Sequence, residues 1–321
     1  MKEKKTSIIL LKCAGERMIS YLPDNNSLLN EYCLFSEVNY IVSDIDGTLT
    51  KGSSPIFEQI RKKTIHLRKK RVITTVATGR PYRGAYNVIQ QLGIADGTPL
   101  VLYNGGVLLE HNTGHIIREC SIAFEEVQTL LCFAGKCGAG IYVYTCDEDM
   151  SDIQSFFTSG KFCEEVWYAG NIERRTDING NYVKPMLLRE IKDKKVVSIL
   201  IERRELTELI GSQIIKYLES NPKVSYTDSG SGFIEIRAAQ NKKSILIEEL
   251  KKRDSEKKGK ILAIGDNDND IDLFKIADIS VAVANSSSTA RKSADYLCRR
   301  DCAEGYLDML MVIETAKRYW K

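Results

Sequence analysis

From residue 40 onward the chain alternates short apolar runs with longer amphipathic stretches, and this rhythm restricts the fold more than any other feature of the sequence. Apolar runs at 40–42, 72–77 and 100–103 are separated by helical patterns over 55–70 and 82–92. The rhythm returns near the end, with a helix over 244–258, the run 261–264, a short helix over 271–276 and the run 279–283. Strands spaced by crossover helices predict an α/β fold with a parallel sheet, whose ligands gather beyond the carboxyl ends of the strands.

Between these halves the pattern changes. Residues 113–228 hold helical patterns at 124–136 and 205–219, the second with Leu206, Leu209, Ile210, Ile214, Tyr217 and Leu218 at helical spacing. Strand candidates lie at 140–144, 196–202 and 223–226. This predicts an inserted α+β domain and splits the sheet-forming domain into 39–112 and 229–321. Residues 147–193 are polar and less regular, carry Trp167, Arg174, Arg175 and Lys184, and take no assignment. Residues 1–38 read as an extension, with a strand or helix packed on the core.

Composition narrows the function classes. With 321 residues, 43% hydrophobic and 28% charged, the chain has enough apolar material for about two domains. The basic clusters at 61–71 and 251–260 stand beside Glu58, Glu248, Glu249, Asp254 and Glu256, so they read as solvated helix faces and not as a nucleic-acid surface. Nine cysteines without a C-x-x-C pair and three histidines (His66, His111, His115) suggest neither a disulfide framework nor a zinc site, and a reduced cytoplasmic setting is expected. The apolar run 8–11 is cut by Lys12 and followed by Glu16-Arg17, unlike a signal peptide. No run approaches the ~20 apolar residues of a membrane span. Neither a nucleic acid nor a membrane is expected as a partner.

Chemistry follows the strand candidates. Asp44-Ile45-Asp46-Gly47-Thr48 sets two carboxylates two residues apart just past an apolar run. In an extended segment those residues face the same way, and two crowded acids repel unless a cation or a proton sits between them. Thr78-Gly79-Arg80 supplies a hydroxyl, Lys242-Lys243 an ammonium, and Gly265-Asp266-Asn267-Asp268-Asn269-Asp270 further hard oxygen ligands. Hard oxygens suit magnesium; hydroxyl and ammonium suit phosphate oxygens. Each cluster alone reads as a solvated turn, a strand exit or surface charge. Their joint occurrence at one edge of a parallel sheet points to phosphoryl chemistry with a divalent ion.

In these motifs the chain resembles the haloacid dehalogenase superfamily, and its Cof-type phosphatases (the IIB subclass, with a C2-type cap) in particular. The D-x-D-G-T, T-G-R, lysine and G-D-x-x-N-D motifs of that family are matched in order over about residues 39–310. The resemblance implies a Rossmann-like parallel-sheet core with the inserted α+β region as the cap. It further implies that Asp44 is the nucleophile that forms an aspartyl-phosphate, and that Asp46 protonates the leaving oxygen and then activates water. Thr78 would hydrogen-bond the transferring group, and the family's lysine would neutralise Asp44 and phosphate. Lys243 is preferred to Lys242 for that role, because Leu246, Ile247 and Leu250 then fall at the family's apolar positions; Ser244 stands where a glycine is usual.

Mg2+ would bind Asp44, the carbonyl of Asp46, and Asp266, with Asn269 and Asp270 nearby and Asp268 as a further candidate. Gly79, Asn104, Gly105 and Asn285 would line the phosphate end, Ala284 replacing the family's glycine before the asparagine. Arg80 has two readings, a substrate-side cation or a salt bridge anchoring its loop. The resemblance thus implies a Mg2+-dependent phosphatase of small phosphorylated metabolites, sugar phosphates foremost. Arg174, Arg175 and Lys184 are candidates to meet the leaving group. The rival readings are a phosphomutase of the same superfamily and a non-catalytic phosphometabolite sensor with residues 1–38 docking a partner.

Overall fold

The computed structural model describes residues 20–24, 27–51, 58–147, 158–159, 162–171, 173–228, 232–254 and 259–320. Its first sheet is parallel throughout, with six strands in the order Ser20–Tyr21, Tyr296–Leu297, Ile279–Ala282, Lys260–Gly265, Val38–Ser43 and Ile73–Val76. The expected α/β rhythm is therefore present: Val38–Ser43 and Lys260–Gly265 lie side by side at the centre although more than two hundred residues apart in the chain. Both are almost wholly buried, which is why they read as continuous apolar runs and not as alternating ones.

Helices Glu58–Lys69, Tyr82–Leu92, Ile245–Arg253, Ile271–Ile276 and Cys302–Tyr319 cover this sheet. The helix Tyr82–Leu92 has the bounds read from sequence, because Gly93 ends it in the left-handed conformation that glycine adopts without strain. The start expected for the first helix at 55 and the end expected for another at 258 lie outside the described residues. Of the extension 1–38, residues 1–19, 25 and 26 lie outside the described residues; the others add the edge strand Ser20–Tyr21 and a 3₁₀ segment, Leu29–Glu37, that buries Tyr32 and Phe35 in the core.

After Ile73–Val76 the chain crosses by a single bridge, Ala77 to Val101, into an antiparallel trio of Pro99–Leu102, Val107–Glu110 and Ile116–Glu119. A second sheet follows, with the order Val183–Pro185, Phe162–Ala169, Ile141–Asp147, Lys195–Glu202, Phe233–Ala238 and Val224–Asp228, and Thr158–Ser159 paired onto Phe162–Ala169. One face carries Ile141, Val143, Trp167, Ile199, Ile201, Ile234 and Ile236 and packs under the helices Phe124–Gly135 and Glu208–Ser220. The other face, with Tyr142, Tyr144, Phe162, Val166 and Tyr168, joins the same apolar cluster as Tyr82 and Tyr103 of the first sheet's side.

Two features depart from the sequence reading. The unassigned stretch 147–193 contains the eight-residue strand Phe162–Ala169, seven of whose residues are buried. And the boundary expected at 228/229 falls between Val224–Asp228 and Phe233–Ala238, which pair antiparallel as neighbours. The hairpin keeps both strands in the second sheet, since Phe233–Ala238 also pairs with Lys195–Glu202. Among the described residues no helix is long and apolar enough to cross a membrane, and the eight described cysteines are free thiols.

Candidate active site

Parallel strands release their loops at one edge, and the motif residues collect there. Val38–Ser43 leads into Asp44, Ile73–Val76 into Thr78, Pro99–Leu102 into Asn104, Lys260–Gly265 into Asp266, and Ile279–Ala282 into Asn285. The loops knit through the backbone: the Asp44 amide donates to the Ile264 carbonyl at 3.0 Å and the Asn104 amide to the Thr78 carbonyl at 2.9 Å. Thr78 is buried, with its hydroxyl oxygen accepting from the Arg80 amide at 3.1 Å.

At the centre is one buried ammonium among three carboxylates. Lys243, 1% exposed, donates from Nζ to Asp44 Oδ1 at 2.6 Å and to Asp270 Oδ1 at 2.7 Å. Lys242 is exposed, and its backbone lies against Gly105. The apolar positions Leu246, Ile247 and Leu250 are all buried, and they turn Lys243 inward. Asp44, Asp266 and Asp270 each offer an oxygen within 4.8 Å of the others. Asp270 Oδ2 also accepts from the amides of Asp266 and Asn267, at 3.0 and 3.1 Å, while Thr48 Oγ1 donates to Asp266 Oδ1 at 2.9 Å.

Three negative charges around one positive leave the cluster short of cation. Burial holds the Asp44 carboxyl well above the ordinary carboxylate range; Lys243 pulls it down, and Asp270 and Asp266 push it up again. Asp266 is pushed up to about 6, by burial first and by Asp270 next. Burial alone would lower Lys243, yet Asp270 and Asp44 hold its ammonium above the usual lysine range. The residues present fit a divalent ion on their own chemistry. Their donors are all hard oxygens, and beside them Asn269 Oδ1 is buried without a hydrogen-bond partner.

Asp46 lies on the open side, 54% exposed in its side chain, where Arg80 clasps it through Nε at 2.8 Å and Nη2 at 2.5 Å. Arg80 Nη1 also donates to the Gly84 carbonyl at 2.9 Å. Gly47 turns at φ +81°, and a Cβ there would come within 2.3 Å of Asp266 Oδ2, so only glycine lets the two acidic loops approach. Gly79 is also closely met, a Cβ there falling 2.7 Å from Asn104 Nδ2.

A match to the haloacid dehalogenase-like hydrolase model spans residues 41–310 and takes in every one of these loops. The chain belongs to that family. Among relatives, this hydrolase is 23% identical over 297 residues to the 5-amino-6-(5-phospho-D-ribitylamino)uracil phosphatase YwtE of Bacillus subtilis, covering 84% of this chain and 97% of the relative. It is 24% identical over 268 residues to the phosphoglycolate phosphatase of Methanobrevibacter smithii, covering 84% and 95%. A crystal structure of a haloacid dehalogenase-like hydrolase from Bacteroides thetaiotaomicron superposes with a TM-score of 0.69 at 21% identity, over 86% of this chain and 99% of the other.

The remaining candidates of this hydrolase divide. Asn104 accepts from Asn269 Nδ2 at 3.1 Å and donates to Glu235 Oε1 at 2.8 Å, so it joins the acidic loop to the second sheet. Asn285 bridges the Gly47 carbonyl (2.8 Å) and the Cys302 amide (2.7 Å). Asp268 is held apart from the three acids by Ser287 Oγ at 2.5 Å. Arg174 lies 3.2 Å from Glu202, whereas Lys184 pairs with Glu165 at 2.6 Å and stands over the Trp167 ring, on the helix-covered face of the second sheet. Lys184, in register with Trp167, therefore faces away from the motif loops. Glu164, Glu202 and Glu235 on the opposite face carry no sequence motif. Their signal in the sequence is no more than acidic residues among the mainly apolar residues of these strands.

Proposed function

We propose that this hydrolase of phosphoric monoesters is a Mg2+-dependent phosphatase of small phosphorylated metabolites, sugar phosphates foremost, and that it works through an aspartyl-phosphate on Asp44. The observation that carries the reading is Lys243, buried and bonded to Asp44 and Asp270 with Asp266 alongside. A lysine so held neutralises the nucleophile and the phosphate without being displaced.

In this reading Asp44 attacks phosphorus through a carboxylate oxygen, the ester oxygen leaves with a proton from Asp46, and Asp46 then takes a proton from the water that cleaves the acyl phosphate. Thr78, Gly79, Asn104, Gly105 and Asn285 border the phosphate. Asp44, Asp266, Asp270, Asn269 and the Asp46 carbonyl are the groups that would hold the ion, which would supply charge neutralisation at the phosphoryl oxygens. Arg80 orients Asp46 through its two-pronged bond.

The second sheet is the cap in this reading, and its inner face meets the leaving group. Tyr168, Tyr142, Leu200 and Glu235 stand in register across four strands, so one row runs from the aromatic side to Asn104. Glu202 lies in the next row, accepting from Tyr142 Oη at 2.9 Å and from Arg174. A carboxylate flanked by tyrosines suits a hydroxyl-rich leaving group, in keeping with the ribityl phosphate ester named for the Bacillus subtilis relative.

The test is phosphate release from a panel of sugar phosphates, nucleotides, flavin mononucleotide and pyridoxal phosphate. Chelation with EDTA is expected to bring release to background and added Mg2+ to restore it. An isomerised phosphosugar in place of free phosphate would instead mark a mutase, and metal-independent release would sink the ion assignment. Glu202→Gln is expected to reorder the panel, with kcat/KM for the best sugar phosphate falling roughly tenfold or more, the worth of a hydrogen bond to a charged group. A uniform loss for every substrate would count against Glu202 as a leaving-group contact.

A further inference from the structure

Glu164 is a buried carboxylate that none of the steps above uses. It projects from the second sheet's strand Phe162–Ala169 toward the first turn of the helix Tyr82–Leu92, on the opposite side of the interface. That helix begins at Pro81 without any side-chain cap of its own, which leaves the amides of its first turn in need of acceptors. Glu164 supplies them: Oε1 accepts from the Tyr82 amide at 2.5 Å and Oε2 from the Arg83 amide at 3.1 Å. Oε1 also accepts from Tyr103 Oη at 2.7 Å. A carboxylate bonded to two amides at a helix start is favoured by both the hydrogen bonds and the helix dipole.

The two elements it grips flank the chemistry. The turn capped by Glu164 carries the Gly84 carbonyl, which accepts from Arg80 Nη1, and Arg80 in turn clasps Asp46. Tyr103 lies directly before Asn104; both have positive φ, +51° and +52°, a strained pair that the surroundings must hold in place. The backbone ties the two loops, the Tyr103 amide donating to the Arg80 carbonyl at 3.3 Å. Apolar contacts also join the second sheet here, Phe162 packing on Tyr82 with ring centroids 6.0 Å apart and Tyr144 on Tyr103 at 5.8 Å. A buried carboxylate adds a desolvation cost that packing alone does not require. Burial indeed pushes Glu164 up to about 7, with the bonds from Tyr103, Tyr82 and Arg83 opposing and Asp177 adding to the rise.

We propose that Glu164 is a positioning residue for catalysis: seated on the second sheet, it caps the helix Tyr82–Leu92 and holds Tyr103, and thereby sets where Arg80 presents Asp46 to the leaving group. The proposal rests on the phosphatase reading. It makes docking of the second sheet a condition for correct placement of the general acid, although no atom of Glu164 touches the reacting groups.

The experiment combines kinetics on p-nitrophenyl phosphate with amide hydrogen exchange in the full chain, for Glu164→Ala, the isosteric Glu164→Gln, Arg80→Ala and the Glu164→Ala/Arg80→Ala pair. Glu164→Ala is expected to lower kcat on the order of 10²-fold, the scale of a small misplacement of a reacting group, with KM within about twofold of wild type. Glu164→Gln, which keeps one acceptor, should recover part of kcat. In the Arg80→Ala background the further loss from Glu164→Ala should shrink below about threefold, because the two act in series. Exchange at Tyr82 and Arg83 should rise in Glu164→Ala, and in Glu164→Gln at the amide left without an acceptor.

Unchanged kcat in a folded Glu164→Ala protein, multiplicative losses in the pair, or unchanged exchange at Tyr82 and Arg83 would each overturn the proposal. A wild type without phosphatase activity would overturn its catalytic half together with the parent reading. That failure is told apart from failure of the clamp because the exchange readout needs no substrate.

Discussion

Asp44→Asn is expected to abolish phosphate release, by at least about 10⁴-fold in kcat, the scale seen when a covalent nucleophile is removed, while the protein remains folded. The substitution is isosteric, and the amide oxygen still accepts a hydrogen bond, so the contact that Lys243 makes at 2.6 Å has a partner in the variant. What is lost is the carboxylate oxygen able to form an acyl phosphate. What is also lost is one of three negative charges crowded around a single ammonium. Removing a like charge from that cluster relieves repulsion, and the melting temperature should equal or exceed that of wild type. Phosphate release and a thermal melt, run side by side on the two proteins, check both halves. Turnover above about one hundredth of wild type would place the nucleophile elsewhere, and a collapsed melt would mean that Asp44 has a structural duty its geometry does not suggest.

How far the sequence carried the site depends on the range over which each partner acts. Lys243 was legible through the family resemblance, which sets apolar residues three, four and seven positions after its lysine; Leu246, Ile247 and Leu250 fit that spacing from Lys243, and all three are buried. The acidic loop was legible because Asp266 and Asp270 lie on a single tight turn after a buried strand. Glu164, Glu202 and Glu235 were not legible, since each meets its partner across a long stretch of chain. Tyr103 and Glu164 are 61 residues apart, and Asn104 and Glu235 are 131 apart. Their strands also hide them, because Phe162–Ala169 sets Glu164 beside Glu165 and so breaks the two-residue alternation that marks a half-buried strand. That break left the whole stretch without an assignment. Lys184 shows the converse, its charge being visible in the sequence while the face it occupies is decided by a register that spacing does not encode.

Lys243→Met is the second substitution with a large expected effect, and it acts on stability as well as activity. Methionine fills a similar volume, so the buried site stays filled, but the ammonium disappears while Asp44 and Asp270 stay. Replacing both halves of a buried ion pair by apolar groups can be neutral; removing one half strands the other, at about 3–5 kcal/mol. The variant should therefore unfold at lower denaturant concentration and release no measurable phosphate. The sign with pH follows from the carboxyls. Asp44 lies well above its ordinary range and Asp266 at about 6 even with the lysine present, so both resist ionisation in the fold. A carboxyl whose folded-state pKa is raised destabilises the fold above that pKa, and the penalty fades as pH falls through it. The stability gap between wild type and Lys243→Met should accordingly narrow from pH 8 down toward about 5, as urea unfolding at stepped pH would show. Adding Asp44→Asn to Lys243→Met should return part of the lost stability, since the two changes act on one cluster and are not additive. A Lys243→Met protein as stable as wild type across that range would show that the three carboxylates do not depend on the ammonium, and the charge balance assigned to this site would be wrong.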